Sequence, residues 1–207
     1  MSRKGTFYIV AAPSGAGKTS LVKGLLASVE EIVLSISHTT RPMRPGDEDS
    51  LDYHFVSVDT FHDMVGQQLF LEHAEVFEHY YGTSRSAVLE TINNGQDVVL
   101  EIDWQGARQI RQMFVEAVSI YILPPSMSEL ERRLFDRNQD SETVIVRRME
   151  QAKAEMLHFH EFDYTVINDN FEQALSELQA IVVAHRQKTA QQVQIRQKLL
   201  AELTQSS

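Results

Sequence analysis

The stretch Ile9–Ser20, IVAAPSGAGKTS, ends an apolar run in small residues and then sets down a lysine and two hydroxyls. Thr6–Ala11 has the apolar, β-rich make-up of a buried strand. Ser20–Val29 carries Leu21, Val22, Leu25 and Leu26 at helical spacing. Between strand and helix there is almost no side-chain bulk. A turn built this way lets backbone N–H groups converge on an anion, and its glycines permit positive φ where the turn needs it. The helix that opens near Lys18 offers its positive end to the same anion.

Ala12–Thr19 fits the phosphate-loop pattern G-x-x-x-x-G-K-[ST] at all but its first position, where Ala12 stands for glycine. In that reading Ala12, Pro13, Ser14, Gly15, Ala16 and Gly17 wrap a nucleotide's phosphates. Lys18 reaches the β- and γ-phosphates, and the Thr19 hydroxyl is placed to ligate Mg²⁺. The alternative is a glycine-rich turn with a surface lysine. The loop implies a nucleoside triphosphate, and by itself leaves motor, GTPase and kinase open.

The chain has 207 residues, room for one well-buried domain or a domain with a small insert. A net charge of −10 argues against generic nucleic-acid binding, which needs a basic face to displace counterions. Positive charge is instead local, at Arg41 and Arg44 and again at Arg132, Arg133, Arg137, Arg147 and Arg148. The absence of cysteine excludes disulfides and thiolate metal sites. No apolar run approaches the roughly 20 residues of a membrane helix. The apolar stretch near the N-terminus is too short for a secretory signal, so a cytoplasmic location is expected.

Further strands are predicted at Glu31–Ile36, Asp97–Ile102, Ala117–Leu123 and Tyr164–Asn168. Helices are predicted at Trp104–Gln112, after a Ser126/Glu129 capping box, over 141–159, and as one long helix from Phe171 to about Ala201. Residues 51–95 mix strand-like runs (YHFVSV, LFLEHAEVF) with helical ones (DTFHDMVGQ, SRSAVLETINN). Strands alternating with helices predict a mostly parallel α/β sheet. His158 and His160 have no evident third ligand, which argues against a metal site there. The long last helix offers either a self-association surface, making a homo-oligomer, or a solvated face.

Arg41 and Arg44 lie three apart in a proline-stiffened loop, with Tyr53 following. Two guanidiniums held this way can clamp a phosphate monoester bidentately; the plainer reading is a solvated basic loop. Taken in order, APSGAGKTS, SHTTRPMRPGD, LEHAEVFEHYYGTS, EIDWQGARQI, LPPS and VIND resemble the guanylate kinases, over about residues 5–185.

The resemblance implies a P-loop nucleoside monophosphate kinase fold of the α/β class. Residues 1–36, 96–125 and 160–207 would form a core with a five-stranded parallel sheet, 37–95 a GMP-binding insert and 126–159 a helical lid. It implies transfer of the γ-phosphate of ATP to GMP with Mg²⁺, giving ADP and GDP in purine nucleotide metabolism. Ser37, Arg41, Arg44, Tyr53 and Tyr81 would bind the GMP phosphate and its surroundings. Glu72, Thr83 and Asp103 would read the guanine. Arg137 and Arg148 would fold onto the ATP phosphates, joining Lys18, Arg41 and Arg44 as the catalytic set. Asn168 would lie near the adenine.

Residue chemistry supports parts of this separately. Glu72 sits among apolar neighbours, and a carboxylate there needs partners. Guanine presents N1–H and N2–H₂ as a matched donor pair; a core arginine is the other candidate. Glu101 and Asp103 end a buried strand near the loop, as metal-side or ligand-side acids or as caps of the next helix. The family usually has glycine where Ser50 stands, and glycines flanking Arg137 where this chain has Asp136 and Asn138. Two rivals remain: a kinase acting on another phosphorylated acceptor such as a ribose bisphosphate, and a non-enzymatic module that binds proteins.

Overall fold

The computed structural model describes residues 4–136 and 142–204. β1 (Phe7–Ala11) leads through the glycine loop into α1 (Lys18–Ser28) and β2 (Ile32–Leu34). Next come β3 (His38–Thr39), β4 (His54–Phe55), α2 (Val58–Gly66), the hairpin of β5 (Phe70–Val76) and β6 (His79–Ser84), and α3 (Arg85–Asn93). They are followed by β7 (Asp97–Glu101), α4 (Trp104–Met113), β8 (Val118–Leu123), α5 (Met127–Asp136), α6 (Glu142–Met156) and β9 (Tyr164–Ile167). The last three elements are α7 (Phe171–Arg186), α8 (Thr189–Ile195) and α9 (Gln197–Thr204).

The core sheet is parallel, in the order β2-β7-β1-β8-β9. This is the five-stranded sheet that the resemblance implied. All five residues of the central β1 are buried, because helices cover both faces of the sheet. The pleat divides them. Tyr8 and Val10 pack with Leu21, Val22 and Leu25 of α1 and Leu178 and Val182 of α7. Phe7 and Ile9 pack with Val88 and Ile92 of α3 and Ile110 of α4. From β1 the order runs one way to β7 and the other to β8, so a crevice opens at their carboxyl ends, the usual ligand position in such sheets.

A second sheet, β4-β3-β6-β5, is built from residues between 38 and 84. Its strand β6 was not predicted, since HYYGTS shows no apolar alternation. Pairing with β5 makes it a strand. Gly82 has the Phe70 ring across it, 2.9 Å from where a Cβ would stand.

The single long helix predicted from Phe171 is in fact three. Val182 and His185 are the last buried positions of α7. There the Tyr8 hydroxyl meets His185 Nδ1 at 3.3 Å, and Arg186 pairs with Asp97 at 2.8 Å. No residue of α8 or α9 is buried, so no packed face extends one helix axis further. The predicted capping box forms by half: Ser126 Oγ accepts from Glu129 N at 3.1 Å, while the Glu129 carboxylate goes to Arg132 and Arg133. Among the described residues no helix is long and apolar enough to cross a membrane.

Candidate active site

Gly15 and Gly17 both take a φ of 91°. Gly17 is the N-cap of α1, and no side chain caps that end. By contrast Ser57, Ser84, Asp103 and Asn170 cap α2, α3, α4 and α7. The first amides of α1 are thus left to an anion. Asn168 sits directly beneath. It is 5% exposed, and its Nδ2 donates to Ala16 O at 2.7 Å. A Cβ on Gly17 would come within 2.3 Å of that nitrogen. The Asn168 amide therefore braces the phosphate loop, a contact the sequence did not suggest.

Lys18 Nζ donates to Ile102 O at 3.2 Å, at the end of β7. Thr19 Oγ1 donates to Glu101 Oε1. A hydroxyl and a carboxylate side by side are hard oxygen donors of the kind Mg²⁺ takes. Asp103 is used differently. Its Oδ1 caps α4 through Gly106 N and its Oδ2 accepts from Gln105 Nε2, both at 2.9 Å. Of the two acids, Glu101 belongs to the loop side, and Asp103 combines helix capping with a place on the cleft wall.

The cleft runs from the loop to a facing wall that includes Ser37, Arg44, Tyr53, Glu72, Tyr81 and Asp103, with Arg148 at its edge. Arg41 and Thr83 stand behind that wall. Arg41 is 8% exposed, and its Nη1 donates to Asp47 Oδ2 and Pro42 O, both at 2.8 Å. The same Asp47 oxygen accepts from Arg44 N at 2.6 Å, so one carboxylate organises both arginines. The Arg41 contact holds Asp47 below the usual carboxylate range. Asp47 was missed in the sequence, although an acid three residues beyond Arg44 in a Pro-Gly turn is a readable signal.

Glu72 is 3% exposed, and its partner is Thr83, whose hydroxyl donates to Oε1, not an arginine. α4 crosses at Gly106, where a Cβ would stand 2.3 Å from Glu72 Oε2. Burial pushes the Glu72 carboxyl up to about 7, and Asp103 adds to the rise against Thr83 and Lys18. Glu155 of α6, unremarked in the sequence, also lines the cleft; burial and then Asp103 push it up to about 7. Burial, with Glu101 nearby, raises Tyr53 to about 12, so its hydroxyl stays a donor at neutral pH.

Arg148 is half-buried, its guanidinium 5.3 Å from the centre of the Phe77 ring. Arg137 and Asn138 lie outside the described residues. Asp136 is engaged by Arg132 Nη1 at 2.6 Å. Ser50 has a φ of 64°, the left-handed backbone that suits the glycine usual there. His158 stacks on Trp104 with ring centres 3.6 Å apart and meets Glu161 at 2.7 Å; His160 packs against Phe159.

A sequence model of the guanylate kinase family matches residues 4–185. The chain belongs to the guanylate kinase family. It is similar to the guanylate kinase of Alkalilimnicola ehrlichii, 56% identical over 198 residues and 96% of each chain. With that of Hydrogenovibrio crunogenus it shares 55% over 201 residues, covering 97% of this chain and 98% of the relative. The crystal structure of guanylate kinase from Anaplasma phagocytophilum superposes with a TM-score of 0.82 at 32% identity, covering 100% of this chain and 99% of the other. As a member of the guanylate kinase family the chain is an enzyme, and the non-enzymatic rival falls away.

Proposed function

We propose that the chain transfers the γ-phosphate of ATP to GMP, giving ADP and GDP, as a cytoplasmic enzyme of purine nucleotide metabolism. The observation that carries this reading is Glu72: a buried carboxylate held by Thr83, in the same cleft as an uncapped phosphate loop. A sugar-phosphate acceptor has no use for such a group. Guanine does, through N1–H and N2–H₂, with Asp103 on the N2 side.

Phosphoryl transfer asks the protein for in-line positioning and charge neutralisation and little else. In this reading residues 37–95 form the acceptor insert and 126–159 the lid. The loop amides and Lys18 hold the donor phosphates. Arg44, with Arg41 behind it and Ser37, Tyr53 and Tyr81 alongside, holds the acceptor phosphate and offsets repulsion between two polyanions. Arg137 and Arg148 close from the lid and exclude water. Asn168 keeps the loop in shape next to the expected adenine position. Thr19 and Glu101 would hold Mg²⁺, which supplies charge neutralisation at the β- and γ-phosphates when bound. No general base is needed, because the acceptor phosphate is already anionic at neutral pH.

The test is ADP release measured with GMP, IMP, AMP and a ribose bisphosphate as acceptors. GMP should lead, then IMP, which lacks the amino group, then AMP, which lacks N1–H. Rejection of AMP should reach roughly 10⁴-fold, as for sites built around a paired donor. Equal use of AMP and GMP would refute the guanine assignment, and preference for the sugar phosphate would move the chain to the rival class.

A further inference from the structure

The turn that joins β5 to β6 consists of Phe77 and Glu78, between the paired residues Val76 and His79. Both turn residues have left-handed backbone, with φ of 52° and 64°. A two-residue hairpin turn of this hand favours Asn-Gly, and a bulky aromatic at positive φ is strained. The two side chains placed there both reach α6, and they reach adjacent residues. The Phe77 ring centre lies 5.3 Å from the Arg148 guanidinium carbon. Glu78 Oε1 accepts from Arg147 Nη2 at 2.8 Å. The ion pair is exposed, 72% at Glu78 and 60% at Arg147, so it adds little to folding stability.

The hairpin is anchored elsewhere. Gln109 of α4 bonds the backbone of His73 on both sides, accepting from N at 3.2 Å and donating to O at 2.8 Å. Gln109 thus ties the strand that carries Glu72 to α4, and the strained turn at its end reaches α6. Phe77 and Arg148 both border the cleft.

We propose that the Phe77–Glu78 turn is a positioning device for Arg148: the aromatic face holds the guanidinium over the cleft, and Glu78 meets the adjacent Arg147 on the same helix. The acceptor-reading strand and the helix carrying Arg148 are thereby brought into line. The inference rests on the assignment of Arg148 to the donor phosphates made above. Backbone strain at sites of this kind persists where the surroundings over-determine it, and here it places two side chains on two neighbouring arginines.

The test compares wild type with Phe77→Asn/Glu78→Gly, Phe77→Leu, Phe77→Tyr and Arg148→Ala, by thermal melting and by steady-state kinetics with ATP and GMP. The double variant supplies the turn's preferred residues, so its Tm should rise, while kcat should fall about fivefold to tenfold with KM for GMP within about twofold. Phe77→Leu should lose a similar factor, because it keeps apolar bulk without a π face. Phe77→Tyr should keep wild-type kcat. Wild-type kcat in both the double variant and Phe77→Leu, with Arg148→Ala inactive, would overturn the positioning role and leave the Arg148 assignment standing. Wild-type kcat in Arg148→Ala would overturn that assignment and this inference with it.

Discussion

In the proposed reading folding and catalysis ask opposite things of Glu72, and Glu72→Gln should separate them. The carboxyl is 3% exposed, and burial raises its pKa from 4.5 to about 7. The folded state therefore holds its proton more tightly than the unfolded chain does. A raised pKa contributes stability that is fully present below about 4.5 and lost as pH rises through about 7. At 1.36 kcal/mol per pH unit the displacement is worth about 3 kcal/mol. Acceptor binding has the reverse requirement, because only the ionised carboxylate accepts from both guanine donors. kcat/KM for GMP should rise with pH through the window in which stability falls. Glutamine is near-isosteric and never ionises, but its amide must still be buried. A net gain of about 1–3 kcal/mol at pH 8.5 follows, or a Tm rise of about 3–10 °C for a chain of this size. At pH 5 the gain should vanish, since Glu72 is then protonated. The amide NH₂ would face guanine donors with a donor, so kcat/KM for GMP should drop about 10²-fold or more. Melting curves and initial rates at pH 5, 7 and 8.5 supply both readouts. A stability difference independent of pH, or a variant no more stable than wild type at pH 8.5, would refute the reasoning.

Four other outcomes are expected. Lys18→Ala should lose measurable phosphoryl transfer while keeping the wild-type circular dichroism spectrum; near-wild-type turnover in the folded variant would remove the loop assignment. Arg44→Ala and Arg41→Ala should each weaken GMP use by about 1.5–3 kcal/mol with ATP binding little changed, and calorimetric titration with each nucleotide checks this. Arg41→Ala should also melt earlier, because it strands Asp47 beside a half-empty ion pair. Ser50→Gly should stabilise by about 0.5–1 kcal/mol by relieving a φ of 64°, and a lower Tm would contradict that account.

What the sequence makes legible follows local rules. β1, β7 and β8 are strands buried on both faces, and a run such as DVVLE announces itself by composition alone. The phosphate loop is equally local, since its glycines, lysine and threonine are contiguous. β6 is different, because His79–Ser84 is a strand only when Phe70–Val76 lies beside it. The break after Arg186 has a similar origin. The segment has no proline or glycine, and what ends there is the face to pack against. Glu155 and Asp47 escaped notice because their importance depends on which backbone and which cations the fold brings within reach. The resemblance implies a place near a base for Asn168, and its shortest hydrogen bond is to the loop's own carbonyl.

Backbone strain is the least legible feature, and its distribution tracks the proposed site. Among the described residues the non-glycine positions with left-handed backbone are Glu31, Ser50, Gln68, Phe77 and Glu78. All but Glu31 fall within 37–95, and none lies inside a strand of the core sheet. The core strands have no need of such residues, and Glu31 stands in the turn that leads from α1 into β2. Residues 37–95 turn a short chain so that Ser37, Arg44, Tyr53, Glu72 and Tyr81 meet along one cleft wall. Tight turns achieve that, and backbone bonds such as Ser50 N to Tyr53 O at 2.7 Å and Arg85 N to Leu69 O at 2.8 Å hold them where local preference would not. The residues at these turns break the local rules of backbone preference, and such violations are expected where a structure serves binding rather than its own stability. Glycine at 50, 68, 77 or 78 would satisfy the backbone, but it is the side chains at 77 and 78 that meet arginines of α6, so there relief of strain should be accompanied by loss of turnover.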